Sequence, residues 1–338
     1  MREPTPPNSI RRVKVLVVGS GGREHALAWK LAQSPRLTEL HAAPGNPGIA
    51  GLGPCHPVRA EDAEGLLALA RALGIDLVVI GPEVPLVSGV ADALRLGGVA
   101  VFGPSAAAAQ IEGSKRFAKD ILHAAGVPTA EGLAVARPPC VVKADGLAAG
   151  KGVFVCRTQD ELDAALRAVS GLGDDFVVEE LLEGDELSVF AVCDGVTALG
   201  LPPARDFKRA FDGDAGPNTG GMGAFSPVPL PGLELAELVG TVHEPVLREL
   251  ARRDAPFIGL LYAGLMLTEA GVRVLEFNCR FGDPETQAIL PGVEGDLLGA
   301  LAAAAAGDLG DAVITASDDA AVTVVLAARE LVQHGFVH

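Results

Sequence analysis

Val13 to Gly19 reads VKVLVVG, an almost unbroken apolar run that ends at the turn Gly19-Ser20-Gly21-Gly22 and passes into a helix-forming stretch, Glu24 to Gln33. A strand that is apolar on both faces has to be covered on both, which a parallel sheet flanked by helices provides. The alternation repeats through the first hundred residues. A strand at Leu40 to Ala43 ends in Pro44-Gly45-Asn46-Pro47-Gly48, and Glu61 to Leu73 reads as a helix. Asp76 to Gly81 is a strand, Ser88 to Leu96 a helix and Val99 to Gly103 a strand. This succession predicts an α/β fold with a parallel sheet, and ligands then belong beyond the carboxyl ends of its strands.

The pattern changes after a helical stretch from Ala106 to Ala125. Val141 to Lys143 and Val153 to Cys156 are short strands around a glycine-rich loop, and Thr158-Gln159-Asp160-Glu161 is a capping box opening a helix to about Val169. Phe176 to Leu182 is a further strand, and Asp194-Gly195 joins Ser188 to Cys193 with Val196 to Leu201 as a hairpin. Glu234 to Arg253 reads as one helix, Leu260 to Thr268 pairs with Val272 to Asn278, and Ala321 to Ala327 is a last apolar strand. Hairpins with few helices predict a second, α+β region.

Charge and composition exclude whole classes of partner. With 27 Lys+Arg against 43 Asp+Glu the net charge is −16, so no general phosphate-backbone binder is expected. Aromatics are 4%, which leaves no stacking platform for single-stranded nucleic acid. Five cysteines without a CxxC pair favour free thiols in a reducing cytoplasm. Residues 1–12 lack an apolar signal core and no apolar run approaches membrane-spanning length, so a disordered leader and no membrane partner are expected. Any bound anion must therefore meet a local positive site.

Five segments are candidates for chemistry. Gly19-Ser20-Gly21-Gly22-Arg23-Glu24-His25 follows a strand and opens a helix, so its amides can approach a phosphate. A dinucleotide fingerprint would need a third glycine where Glu24 stands and an acid after the second strand, where Ala43-Pro44 stands; a plain turn is the other alternative. Val142 to Val153 carries Lys143, Gly146, Gly150, Lys151 and Gly152, a loop able to fold over polyphosphate but without P-loop spacing. Five of only seven lysines lie between positions 115 and 208, which argues against a merely flexible hairpin. Glu179 to Glu186 is a strand running into an acidic turn, either solvated or set to read adenine and ribose.

In Leu275 to Thr286, period-2 alternation puts Val274, Glu276 and Asn278 on one face. Two oxygen ligands so placed suit Mg²⁺ or Mn²⁺, which bind phosphates through few protein groups. Arg280, Asp283 and Glu285 follow immediately. Asp206-Phe207-Lys208-Arg209 leads into Asp214 to Ala224, read as a long irregular substrate loop.

In this order the segments resemble the phosphoribosylamine-glycine ligase family of the ATP-grasp superfamily. The resemblance is carried by GGREHALAWK from Gly21, APGN from Ala43, GPEVPLV from Gly81, EGSK from Glu112, KADGLAAGKGV from Lys143, GPNTGGMGAFSP from Gly216 and EFNCRFGDPETQ from Glu276. It implies an N-terminal parallel-sheet domain at residues 13–111, an ATP-grasp domain at 112–310 with a lid at about 129–203, and the start of a largely absent C-terminal domain at 311–338. It implies ligation of glycine to 5-phosphoribosylamine with ATP, by a monomer, through glycyl phosphate.

By resemblance, Lys115, Lys143, Gly146, Gly150, Lys151 and Gly152 would meet the ATP phosphates, Glu179, Glu180 and Leu182 the adenine, and Glu186 the ribose. Glu276 and Asn278 would hold Mg²⁺ or Mn²⁺, and Arg280, Asp206 and Lys208 would be catalytic. Gly21, Gly22, Arg23, Asn46, Glu83, Asn218, Thr219, Gly220 and Asp283 would bind substrate. The sequence departs from the family pattern at four places. The segment Thr129 to Val141 is shorter by roughly one helix, Phe207 replaces a histidine, no carboxylate on Leu260 to Thr268 offers a third metal ligand, and the family continues for roughly another 90 residues. An ATP-binding remnant without turnover is the alternative those departures leave open.

Overall fold

The computed structural model describes residues 12–147, 152–171, 175–213 and 215–327. Strands β1 (Val13–Gly19), β2 (Leu37–Pro44), β3 (Leu77–Ile80) and β4 (Ala100–Phe102) form a parallel sheet in the order β2-β1-β3-β4. Val15 to Val18 are completely buried, as their two-sided apolar pattern requires. The order reverses across β1 and β3, so the turns after these strands open on one crevice. From that crevice start the helices Gly22–Leu31 and Glu83–Val87.

A small sheet follows, β5 (Cys140–Ala144), β6 (Val153–Cys156) and β7 (Phe176–Glu180), ordered β6-β5-β7 and antiparallel. Cys140, Val142 and Ala144 pack on Leu162, Ala165 and Val169 of the helix Gln159–Ser170, giving this unit its own core. The predicted capping box is present: Thr158 Oγ1 accepts from Glu161 N–H and Glu161 accepts from Thr158 N–H. The alternate residue Lys143 points away from that core, and so does Glu179 on β7, whose neighbours Phe176 and Val178 face it.

The largest sheet holds β8 (Asp185–Asp194), β9 (Ala198–Phe211), β10 (Ala215–Ser226), β11 (Ile258–Thr268) and β12 (Gly271–Asn278). Beyond β13 (Val293–Glu294) and β14 (Thr315–Ala316), which pair with each other, β15 (Ala321–Val324) completes it in the order β12-β11-β8-β9-β10-β15. The predicted hairpins at Asp194-Gly195 and Glu269-Ala270-Gly271 are its β8–β9 and β11–β12 turns. Residues of β8 and β11 share apolar clusters with β1, β3 and β4, so the two large sheets are joined by common core.

Three expectations need correction. The stretch read as a substrate loop is strand β10, paired irregularly with β9; its glycines remove side chains without preventing the ladder. The helical stretch Ala106 to Ala125 is two helices, Ala106–Gly113 and Lys115–Ala125, because Ser114 is extended and caps the second by accepting from Phe117 N–H. The helix Glu234 to Arg253 is α-helical at Leu235–Leu238 and Glu244–Arg252 with a π segment, Val239–His243, between them.

His243 ends that segment wholly buried, with Nε2 on Leu261 O at 3.2 Å and Nδ1 unpartnered among the described residues. Burial pushes its pKa from 6.5 to about 4. Between those values the unfolded chain binds the proton and the folded chain does not, so the stability present above pH 6.5 is lost progressively as pH falls towards 4. The loss should reach about 3 kcal/mol. Urea melts from pH 7 to pH 4 check this, and His243→Gln should show a shallower acid slope than the parent.

Candidate active site

The crevice of the first sheet, the cavity side of the small sheet and the end of β12 together enclose a cavity of about 370 Å³. Four lysines reach it from three elements: Lys115 and Lys119 from one helix, Lys143 from β5 and Lys208 from β9. Lys143, buried, donates to Glu179 at 2.7 Å and to Leu275 O at 2.9 Å. Lys119 takes the other oxygen of Glu179 at 2.9 Å, so a single buried carboxylate holds two ammonium groups against the cavity. Lys115 Nζ donates to Gly146 O at 3.0 Å, and its backbone N–H is anchored on Asp145 Oδ1. Burial lowers its pKa, with Glu276 working in the other direction.

Glu276 and Asn278 share the cavity face of β12, but Val274 does not share it. The ladder with β11 pairs Gly264 with Glu276 and Leu265 with Val274, leaving Leu275 as a bulge. One extra residue flips the alternation, so Val274 turns into the core and the freed Leu275 carbonyl meets Lys143. Glu276 and Asn278 make no side-chain hydrogen bond or ion pair among the described residues. Two unpartnered oxygen donors facing a cavity of lysines fit a hard divalent cation that takes its other ligands from phosphate and water. No cluster of three or more His, Cys, Asp or Glu able to hold a metal occurs among the described residues.

Asp206 and Lys208, alternate residues of β9, pair at 3.1 Å, and Lys208 also reaches Glu186 at 3.2 Å. Burial works against the Lys208 charge, yet Tyr262 and these carboxylates hold its pKa well above the ordinary lysine value. Burial raises the Asp206 carboxyl. Phe207, between them, faces outward with its ring 6.1 Å from that of Phe225.

A charged chain closes the crevice end. Arg280 lies between Glu83 at 3.2 Å and Glu112 at 3.1 Å; Arg23 is tied to Glu24 at 2.6 Å and to Phe281 O at 3.0 Å, with Glu83 3.8 Å away. Glu112 also accepts from Cys279 N–H. Burial opposes the Arg280 charge, but Glu112 and Glu83 raise its pKa beyond the ordinary arginine value.

Of the other residues singled out from sequence, Gly146, Gly152, Thr219, Gly220 and Asp283 line the same cavity. Gly150 and Lys151 lie outside the described residues. Glu180 alternates with Glu179 and turns its carboxylate to Glu131 N–H, and Glu186 stands in a small adjoining pocket beside Lys208. Leu182 and Asn218 do not line the cavity; Asn218 sits in the β9–β10 ladder opposite Arg209. Asn46 caps the helix Pro47–Ala50 and donates to Ser20 O and Gly21 O, holding the glycine turn. The Gly21 N–H is taken by Glu24 at 2.6 Å, so the amides left for an anion at this helix end begin at Gly22.

Lys119, Glu112 and Tyr262, to which the sequence assigned no role, also line the cavity. The clustering of scarce lysines, the EGSK segment from Glu112 and the lone tyrosine of the chain were the signs of them.

A parallel sheet followed by a small and a large antiparallel sheet, with lysines and a Glu-x-Asn strand around one cavity, defines an ATP-grasp fold. Biotin carboxylase from Campylobacter jejuni has that fold, at TM-score 0.64 and 13% identity over 88% of this chain and 72% of its own. Residues 13–112 match the family described as phosphoribosylglycinamide synthetase, N domain, and residues 113–286 its ATP-grasp (A) domain. The chain belongs to the phosphoribosylglycinamide synthetase family. It is 54% identical over 331 residues to phosphoribosylamine–glycine ligase of Streptomyces coelicolor, covering 94% of this chain and 79% of that one. The Rhizobium meliloti enzyme of the same name is 49% identical over 335 residues, with the same coverage. The crystal structure of phosphoribosylamine–glycine ligase from Thermotoga maritima superposes with TM-score 0.80 at 34% identity, over 94% of this chain and 81% of that one.

Proposed function

We propose that this chain ligates glycine to 5-phosphoribosylamine, consuming ATP and releasing glycinamide ribonucleotide, ADP and phosphate through glycyl phosphate. The observation that carries the reading is the meeting in one cavity of four lysines, the Glu276 and Asn278 pair and the Arg280 cluster, in a member of this ligase family. Acyl phosphate chemistry asks mainly for positioning and charge neutralisation. Lys115 and Lys143 stand where a polyphosphate between the small sheet and β12 would find ammonium groups already desolvated. Glu179 holds Lys143 and Lys119 at fixed positions, so little reorganisation is needed when charge develops.

Arg280 is oriented from both sides by Glu83 and Glu112 and would hold the glycine carboxylate or the acyl phosphate made from it. Lys208, kept charged by Asp206 and Glu186, faces the same space. The free amides at the start of Gly22–Leu31, with Arg23 beside them, suit the phosphate of phosphoribosylamine. Glu276 and Asn278 would hold Mg²⁺ or Mn²⁺, which neutralises phosphate charge when bound. No described helix is long and apolar enough to cross a membrane. A cytoplasmic monomer with small-molecule substrates and no nucleic-acid or membrane partner is the setting we assign.

Glycine-dependent ADP release on addition of phosphoribosylamine, with glycinamide ribonucleotide identified by mass spectrometry, tests the reading. ATP binding without that turnover would overturn it.

A further inference from the structure

Glu285 lines the cavity while only 4% of its surface is exposed. It opens the helix Glu285–Gly292, and its Oε2 has no hydrogen-bond partner among the described residues. Leaving a buried carboxylate oxygen unpaired costs stability, so such a group calls for an explanation. The space it occupies exists because residue 282 is glycine: a Cβ there would stand 2.4 Å from Oε2. Charged and titratable groups from each element packed on that side face it: Asp206 and Lys208 from β9, Tyr262 from β11 and Arg280 from the turn after β12. All four line the same cavity.

We infer that Glu285 is the proton acceptor for the amide-forming half of the reaction. This rests on the ligase reading above. In that half the amine nitrogen of phosphoribosylamine bonds to the acyl carbon of glycyl phosphate. The bond from that carbon to the phosphate oxygen breaks, inorganic phosphate leaves, and the N–H proton passes to the Glu285 carboxylate. A neutral amine that becomes an amide must lose this proton, and a cavity-lining carboxylate that bonds to no other residue among the described residues can take it without first giving up another bond.

Burial and the adjacent Asp206 charge push the Glu285 carboxyl up to about 7, against the pull of Lys208 and Arg280. A base poised there exchanges its proton readily near neutral pH. Asp206 differs: its carboxylate is already committed to Lys208 at 3.1 Å. The assignment separates the two half-reactions, because activation of glycine by ATP requires no proton acceptor, whereas amide formation does.

The test compares the full chain with Glu285→Gln, which keeps size and shape, and with Glu285→Asp. Three readouts are followed: amide formation from phosphoribosylamine, positional isotope exchange in ATP with glycine alone, and trapping of glycyl phosphate by hydroxylamine. Loss of a general base should lower kcat for amide formation by about 100-fold in Glu285→Gln. Glycine-dependent isotope exchange and hydroxamate formation should stay within about threefold, the KM for ATP within about twofold, and Glu285→Asp should recover part of the rate. The acid limb of the parent kcat profile, near pH 7, should be absent from Glu285→Gln.

Turnover in the parent with amide formation in Glu285→Gln unchanged across the pH range would overturn the assignment alone. So would an equal loss of isotope exchange and amide formation in a Glu285→Gln protein that melts at the parent temperature. Absence of phosphoribosylamine turnover in the parent would overturn the ligase reading and this assignment with it.

Discussion

Lys143→Met is expected to reduce kcat/KM for ATP by about 1,000-fold, near the upper end of what removing one preorganised donor costs. Three observations set the size. Lys143 is 6% exposed, so its ammonium is largely desolvated in the free protein. It is clamped by Glu179 and the bulged Leu275 carbonyl, so it meets the developing phosphate charge without rearrangement. Its removal also leaves Glu179 paired with Lys119 alone, so the net positive charge of this cluster beside a polyanionic substrate is lost. Methionine fills the aliphatic path of lysine, which separates loss of charge from loss of packing. Steady-state kinetics with varied ATP, beside calorimetric binding of ADP, check the expectation. A decrease of less than tenfold would show that Lys143 serves only the small sheet.

Arg280→Met should lower the free energy of unfolding by about 3 kcal/mol at pH 7.5, because breaking a largely buried ion cluster strands its partners. The partners are Glu112, almost fully buried, and Glu83, one-quarter exposed; the exposure of Glu83 keeps the expectation at the lower end of the range. Burial already raises the Glu112 carboxyl above the ordinary value, with Arg280 and the Cys279 amide opposing it. Without Arg280 its folded-state pKa moves higher still, so the folded variant takes up a proton that the unfolded chain does not. The deficit relative to the parent should therefore shrink as pH falls from 7.5 to 5.5. Urea melts of both proteins at the two pH values check it, and a deficit that grew on acidification would contradict the ion-cluster account. Ligase activity should be lost as well, since Arg280 is the guanidinium of the cavity that both substrate carboxylate and acyl phosphate would meet.

Much of this architecture was legible in the chain. The apolar run Val13 to Gly19 demanded burial on both faces and became the buried strand β1 of a parallel sheet. Asp194-Gly195 named its hairpin because a tight turn needs few residues and a positive φ, which Gly195 adopts at +102°. Thr158 and Glu161 named the start of a helix through contacts only three residues apart. These are local rules, satisfied or broken by neighbours in sequence.

What failed was alternation carried across a distance. Val274, Glu276 and Asn278 have the right spacing for one face, but the ladder to β11 slips at Leu275 and sends Val274 to the core. Adjacent Glu179 and Glu180 looked alike as a string, yet the pleat gives one to two lysines in the cavity and the other to a backbone amide outside it. Asn46 and the Gly21 amide looked available to a ligand and are committed to each other's turn and to Glu24.

The sequence by itself determined most of the succession of elements, the location of the scarce lysines and the pair Glu276 and Asn278, because each depends on short-range geometry and residue chemistry. Only the tertiary structure decided which charges share a cavity. Arg23, Glu83, Glu112 and Arg280 come from four separate stretches of chain, and their ion pairs exist because the two large sheets share one core. Glu285 was in view from the start as one more acid after Asn278. Its burial, its unpaired oxygen and the glycine that makes room for it follow from packing, which no spacing in the chain encodes.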